Sequence, residues 1–227
     1  MLQGIKAVFL DIDNTLLDFN ACSRLSMEKG FADFGLSFAP EMYDAFKRVN
    51  DGLWLQIEKE TLTRCELHRT RWGLVFKELG IQEDGEAFEQ RFLYYLAREA
   101  VAIDGAHELL SYLYPRYIVC AASNAPYEQQ LKRLETVNML HRFHQLFISE
   151  KMGVTKPSKA FFDACFAQLS DVRPEETIMI GDSVTADIRG GGAYGMHTCW
   201  YDHHRSGGSC EEAEYSVSSL LEIKELL

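Results

Sequence analysis

The stretch IKAVFLDIDNTL, residues 5–16, decides the fold. Its apolar part is rich in Val, Ile and Phe and is broken only by Lys6 and Asp11. That length and composition suit a strand over 5–12 buried on both faces, and strands of this kind belong to parallel sheets. The run ends on two aspartates, Asp11 and Asp13. Two later runs end in a similar way. YIVCAA (117–122) leads into Ser123-Asn124, and TIMIG (177–181) leads into Asp182, with Asp187 further on.

Between residues 20 and 100 the texture changes. Apolar residues recur at helical spacing, as in Met42, Phe46, Val49 and Leu53, or Leu67, Trp72, Val75, Phe76 and Leu79. Pro40 suits the first position of a helix and Gly80 the end of one. Four helices and no strand are expected here. After Val101 helices and strands alternate: helices near 105–114, 127–136, 158–169, 184–194 and 218–226, with strands at 117–122, 145–149, 177–181 and 196–201. Alternation of this kind implies a parallel sheet covered by helices on both faces. The expected architecture is a doubly wound, Rossmann-like α/β core made of 1–16 and 101–227, with a four-helix cap domain inserted at 17–100.

The 227 residues are 47% hydrophobic and 25% charged, an ordinary globular balance. A formal net charge of -11 disfavours non-specific binding to nucleic acid or anionic lipid, but leaves a small anionic substrate open. The six cysteines show no Cys-x-x-Cys pair and are expected to be reduced. The sequence runs from its first residues directly into a strand, with no secretory leader, and no apolar stretch approaches the length of a bilayer. These features predict a cytoplasmic monomer or weak homodimer with no nucleic-acid or membrane partner.

Ligands of open α/β sheets bind outside the carboxyl ends of the strands. Asp11, Asp13, Ser123, Asp182 and Asp187 are expected at that edge. Lys156-Pro157 opens a helical stretch and can add an ammonium. Two carboxylates about 4 Å apart repel by roughly 1 kcal/mol in water and by more in a dry site, so they require a cation. Oxygen ligands of this number favour Mg²⁺. The chemistry then implied is phosphoryl transfer. One carboxylate attacks phosphorus, since no activated Ser or Cys accompanies the cluster. A second protonates the departing alkoxide and later deprotonates water. Mg²⁺ and Lys156 neutralise the phosphoryl oxygens, which Ser123 and the backbone amides near Asn14 and Asn124 hold.

Each piece also has a plain reading. Asp182-Ser183 can be a helix N-cap, Ser123-Asn124 a turn, and Lys156 a solvated turn residue. Only the combination, in this order on this topology, carries the chemistry. Other patterns carry none. Gly190-Gly-Gly192-Ala-Tyr-Gly195 fits Gly-x-Gly-x-x-Gly but follows a helix, so close packing or a helix end explains it. His141 and His144 lack further ligands for zinc. His203 and His204 read as a polar loop, Ser206 to Ser209 as a flexible one, and Glu211, Glu212 and Glu214 as a solvated acidic run.

With these residues in hand, the chain resembles the haloacid dehalogenase superfamily of phosphohydrolases over essentially its whole length. Asp11 to Thr15 match the family's Asp-x-Asp-x-Thr motif. Ser123 matches the second motif, Lys156 the third, and Gly181, Asp182 and Asp187 the fourth. The resemblance implies Asp11 as nucleophile and Asp13 as acid/base. It implies Mg²⁺ on Asp11, Asp182 and the backbone carbonyl of Asp13, with Asp187 ordering a metal-bound water or Lys156. A finer resemblance is to the pyrimidine 5′-nucleotidase branch, through Val49-Asn50, Leu53-Trp54, Cys199-Trp200, His203-His204-Arg205 and Val217 to Leu220. It implies hydrolysis of nucleoside 5′-monophosphates. Trp54, with Phe19 and Tyr43, is the candidate to stack on a base, set against a plain role in the cap core. A sugar-phosphate phosphatase or mutase would share all four motifs. A phosphonate hydrolase would need a cap lysine such as Lys47 as nucleophile. A haloacid dehalogenase would not need Asp13, and a silent binding module would not need mutually repelling acids.

Overall fold

The computed structural model describes residues 2–203 and 210–227. Contacts divide the chain into two units, residues 1–19 with 100–227 and residues 20–99.

The first unit is built on a sheet. Its strands are β1 (Ala7–Leu10), β2 (Ile118–Ser123), β3 (Gln145–Ile148), β4 (Thr177–Gly181), β5 (His197–Tyr201) and β6 (Tyr215–Val217). Their order is β3-β2-β1-β4-β5-β6, and every pairing is parallel. Val8 pairs with Val119 and Ile178, while Phe9 pairs with Cys120 and Met179. Alternation sends these two rows to opposite faces. Val8, Val119 and Ile178 join one buried cluster with Leu109, Leu110 and Leu113. Phe9, Cys120 and Met179 join the other with Phe161 and Phe162. Both faces are therefore covered, which is why these strands read as unbroken apolar runs.

In chain order the helices are α1 (Phe19–Asp33), α2 (Met42–Glu58), α3 (Arg64–Leu79), α4 (Gly85–Leu96), α5 (Ala106–Leu113), α6 (Tyr127–Thr136), α7 (Ser149–Met152), α8 (Lys159–Phe166), α9 (Gly190–Tyr194) and α10 (Ile223–Leu226). The strand expected over 5–12 is shorter, because Asp11 to Leu17 fold into a turn. Pro40 stands two residues before α2 instead of opening it. The expected final helix is a 3₁₀ turn at Leu220–Glu222 followed by α10. Ser206 to Ser209 lie outside the described residues.

The segment Val184–Arg189 has wide π-type turns before α9. Within it, Asp187 Oδ2 accepts from the Ser183 N–H at 3.1 Å. A Cβ on Gly181 would fall inside the Asp187 carboxylate, so only glycine can occupy that position. The glycines that imitate a dinucleotide fingerprint pack closely instead. A Cβ on Gly190 would meet Pro157 Cβ at 2.9 Å, and one on Gly191 would meet Met179 Cβ at 2.9 Å.

The second unit holds most of α1 together with α2, α3 and α4. Trp72 is its buried centre, with Phe31, Phe46, Phe76, Phe88 and Phe92 around it. Beside it the Arg71 guanidinium grips Glu89, with Nη2 to Oε1 at 2.6 Å and Nε to Oε2 at 3.1 Å, and also donates to Asn50 Oδ1 at 2.9 Å. Both charged side chains are almost wholly buried. Removing one member of such a pair strands a buried charge, at about 3–5 kcal/mol. Glu89→Ala should lower the urea-unfolding free energy by about that amount. Arg71→Met combined with Glu89→Met should recover much of the loss. A loss below about 1 kcal/mol in Glu89→Ala would contradict the assignment.

Candidate active site

Asp11 follows the last residue of β1, and its N–H donates to Ile180 O on β4 at 2.9 Å. The chain then turns on itself. The N–H groups of Leu16 and Leu17 donate to Ile12 O, at 2.9 and 2.8 Å, and the Asn14 N–H donates to Leu17 O at 2.7 Å. Asn14 sits at φ 58°, a left-handed conformation that Asn tolerates better than most residues. Its amide, expected to hold a phosphoryl oxygen, is committed to this turn, so that part of the expectation is corrected. The turn also shows why residue 14 is not arbitrary: the bend that aims Asp11 and Asp13 needs a residue content in this conformation.

Lys156 reaches the same edge from the loop before α8. It is buried, and its ammonium donates to Asp11 Oδ1 at 2.7 Å, Asp187 Oδ1 at 2.6 Å and Ala122 O at 2.6 Å. Three donors meet three acceptors. Burial alone would push this ammonium toward neutrality, but Asp11 and Asp187 outweigh it and raise its pKa. Asn124 fixes the lysine from behind: its Oδ1 accepts the Lys156 N–H and its Nδ2 donates to Lys156 O, both at 2.9 Å. The Asn124 side chain therefore holds the lysine backbone.

Asp182 follows β4 and is half-buried. The Trp200 indole donates to its backbone oxygen at 2.9 Å. Carboxylate oxygens of Asp11, Asp182 and Asp187 all lie within 4.8 Å of one another. Burial raises the Asp11 pKa to about 7, with Asp187 and Asp13 adding and Lys156 opposing. Asp182 is raised well above the usual carboxylate range, first by burial and then by Asp11 and Asp187. Asp187 is raised by burial, against the pull of Lys156 and the Ser183 N–H. Three carboxylates against the Lys156 ammonium leave two formal negative charges. An oxygen-only donor set with that residual charge fits a hard divalent cation such as Mg²⁺.

Asp13 is held separately. Its Oδ1 accepts from Arg133 Nη1 at 2.5 Å and its Oδ2 from Gln130 Nε2 at 2.7 Å, both residues lying on α6. Gln130 Nε2 also donates to Ser123 Oγ at 3.0 Å, and the Ala125 N–H donates to the same oxygen at 3.2 Å. With two donors on its oxygen, the Ser123 hydroxyl is set to donate its own proton. Gln130 and Arg133 were not expected from the sequence. Their signal was faint: polar side chains on the buried face of an amphipathic helix.

Other expected residues fall elsewhere. Tyr43 is buried in the insert, its hydroxyl 2.8 Å from Ser23 Oγ, which corrects its candidacy for stacking. Trp54 packs on the Leu53, Ile57 and Leu67 cluster of the insert and is partly exposed. Phe19 opens α1, half-buried. Lys47 pairs with Asp51 on the surface of α2 at 2.6 Å. His144 is structural: its Nδ1 accepts the Val119 N–H at 3.0 Å and its ring stacks on Tyr114. His203 stands 3.9 Å from Asp18, while His204 and Arg205 lie outside the described residues. The six cysteines are free, and burial pushes the Cys120 and Cys199 thiols up to about 12. Among the described residues no helix is long and apolar enough to cross a membrane.

The chain is 34% identical to the pyrimidine 5′-nucleotidase PynA of Streptococcus pneumoniae, over 98% of its own length and 94% of that protein's. It is 30% identical to the pyrimidine 5′-nucleotidase YjjG of Escherichia coli, over 97% and 96%. The crystal structure of the HAD-hydrolase YfnB of Bacillus subtilis bound to magnesium matches with a TM-score of 0.92 and 32% identity, covering 98% of each chain. A family model described as haloacid dehalogenase-like hydrolase matches residues 5–195, and the chain belongs to that family.

Proposed function

We propose that this phosphoric monoester hydrolase acts on nucleoside 5′-monophosphates, pyrimidine ones above all, through a phosphoryl group carried briefly on Asp11. The observation that carries the chemistry is the Asp11–Lys156–Asp187 contact with Asp182 alongside, at the carboxyl edge of β1 and β4. The substrate class is supported by the two nucleotidases that match the chain nearly end to end.

Lys156 holds Asp11 Oδ1, which leaves Oδ2 as the attacking oxygen. As Oδ2 bonds to phosphorus, the bond from phosphorus to the ester oxygen breaks, and Asp13 gives that oxygen its proton. The Ser123 hydroxyl donates to a phosphoryl oxygen. Asp13, now ionised, takes a proton from water as the water oxygen bonds to phosphorus, and Asp11 leaves as free carboxylate with inorganic phosphate as product. Mg²⁺ held by Asp11, Asp182 and the backbone carbonyl of Asp13 would supply positive charge against the phosphoryl oxygens. Asp187 keeps Lys156 charged and in place. The insert at 20–99 is read as the cap that sets the substrate's organic half, with Trp54 as the residue to vary first.

Two experiments test this reading. Turnover of p-nitrophenyl phosphate should require Mg²⁺, vanish with EDTA and return with added Mg²⁺. Asp11→Asn should fall to background and Asp13→Asn should lose about 10²–10⁴-fold on nucleotides. Activity in Asp11→Asn equal to wild type would refute the covalent route. In a panel scored by released phosphate, uridine and thymidine monophosphates should exceed hexose phosphates. Equal or inverted rates would overturn the nucleotide assignment and favour a sugar-phosphate phosphatase.

A further inference from the structure

We propose that Gln130 and Arg133 are positioning residues for Asp13, holding its carboxylate as the base that breaks down the phosphoenzyme. The inference rests on the role of Asp13 given above. Neither residue belongs to the four motifs that identify the family.

The geometry points to orientation and not merely to attachment. Each oxygen of Asp13 is held by a different side chain, Oδ1 by Arg133 and Oδ2 by Gln130. The two holders are also joined, Arg133 Nη1 donating to Gln130 Oε1 at 3.1 Å. Two bonds from fixed, mutually bonded groups set the plane of the carboxylate, whereas one bond would leave it free to turn. The backbone under Asp13 is fixed as well, by the turn through Ile12, Asn14 and Leu17. Arg133 is fully buried while the Asp13 side chain is 24% exposed. Burying a guanidinium is expensive unless it is paired, and a helix needing only to pack would carry an apolar residue there. Gln130 spends its second donor on Ser123 Oγ. One amide therefore ties the hydroxyl that meets the phosphoryl group to the carboxylate that activates water. A base must sit within hydrogen-bond reach of the proton it takes, and small displacements of a catalytic group reduce rate steeply.

The test uses p-nitrophenyl phosphate with Mg²⁺ on wild type, Arg133→Met, Arg133→Lys and Gln130→Ala. p-Nitrophenolate departs without a proton, so phosphorylation of Asp11, which sets kcat/KM, does not need Asp13. Hydrolysis of the phosphoenzyme does. In Arg133→Met, kcat should fall at least about 10-fold while kcat/KM stays within about 3-fold of wild type. KM then falls with kcat, and stopped-flow should show a burst of about one equivalent of p-nitrophenolate per site before a slow steady state. Gln130→Ala also removes the bond to Ser123 Oγ, so its kcat should fall by a larger factor than its kcat/KM falls, and Arg133→Lys should recover part of kcat. If kcat and kcat/KM fall together, or neither falls, the positioning role is overturned. Should Arg133→Met fail to fold, the split is read on Arg133→Lys, whose kcat should still fall by a larger factor than its kcat/KM. Failure of the underlying reading looks different: wild type would not turn over the ester, or Asp11→Asn would match it, and this inference would fall with it.

Discussion

One ammonium organises the active edge of this protein. Lys156 meets Asp11 from the end of β1, Asp187 from the turns after β4, and the carbonyl of Ala122 in β2. The partners belong to β2 and to the segments that follow β1 and β4, so the lysine ties three parts of the sheet edge together. Its burial makes each bond strong and the loss of any partner costly, since an interior charge has no water to fall back on. Around it the chain spends further polar groups on aim: Asn124 brackets the lysine backbone and Ser183 donates to Asp187.

The same edge keeps its negative charges in two groups. Asp11 and Asp187 bond the lysine, Asp182 lies alongside, and the three retain net negative charge, an arrangement that fits a hard cation. Asp13 lies two residues from Asp11 yet has its own guanidinium. Lys156 and Arg133 each offset part of the repulsion among four carboxylates at the ends of β1 and β4, although burial and the neighbouring acids still push Asp11 and Asp182 up. The division also separates tasks. In the proposed mechanism the first group holds the cation and the nucleophile, and Asp13 moves the protons.

The sheet was legible because buried parallel strands leave continuous apolar runs, and β1, β2 and β4 are such runs. β6 was not, since three residues at a sheet edge, Tyr215–Val217, leave no periodicity to read. That acids gather where β1 and β4 end followed from topology alone. What joins them did not: Lys156 and Asp11 stand 145 residues apart, and Asn124 and Lys156 stand 32 apart. Sequence pattern reports which side of a helix is apolar, but not which of its polar residues turn inward, so Gln130 and Arg133 stayed hidden on α6. Asn14 shows a different limit. It fills an unspecified motif position, and its work is done by a dihedral angle that no side-chain chemistry announces. Tyr43 and Trp54 looked alike as aromatics at helical spacing, and only packing distinguished a core ring from a partly exposed one.

The backbone contacts of α9 act as a gauge. Gly190 rests on Pro157, the neighbour of Lys156, and Gly191 rests on Met179 in the strand that delivers Asp182. The thickness of a bare peptide chain therefore sets how near the lysine loop comes to the acidic loop. A methyl group at either glycine would act as a wedge, lengthening ion-pair distances without touching a charged atom. The least decorated residues of this chain are thus where its electrostatics tolerate drift least.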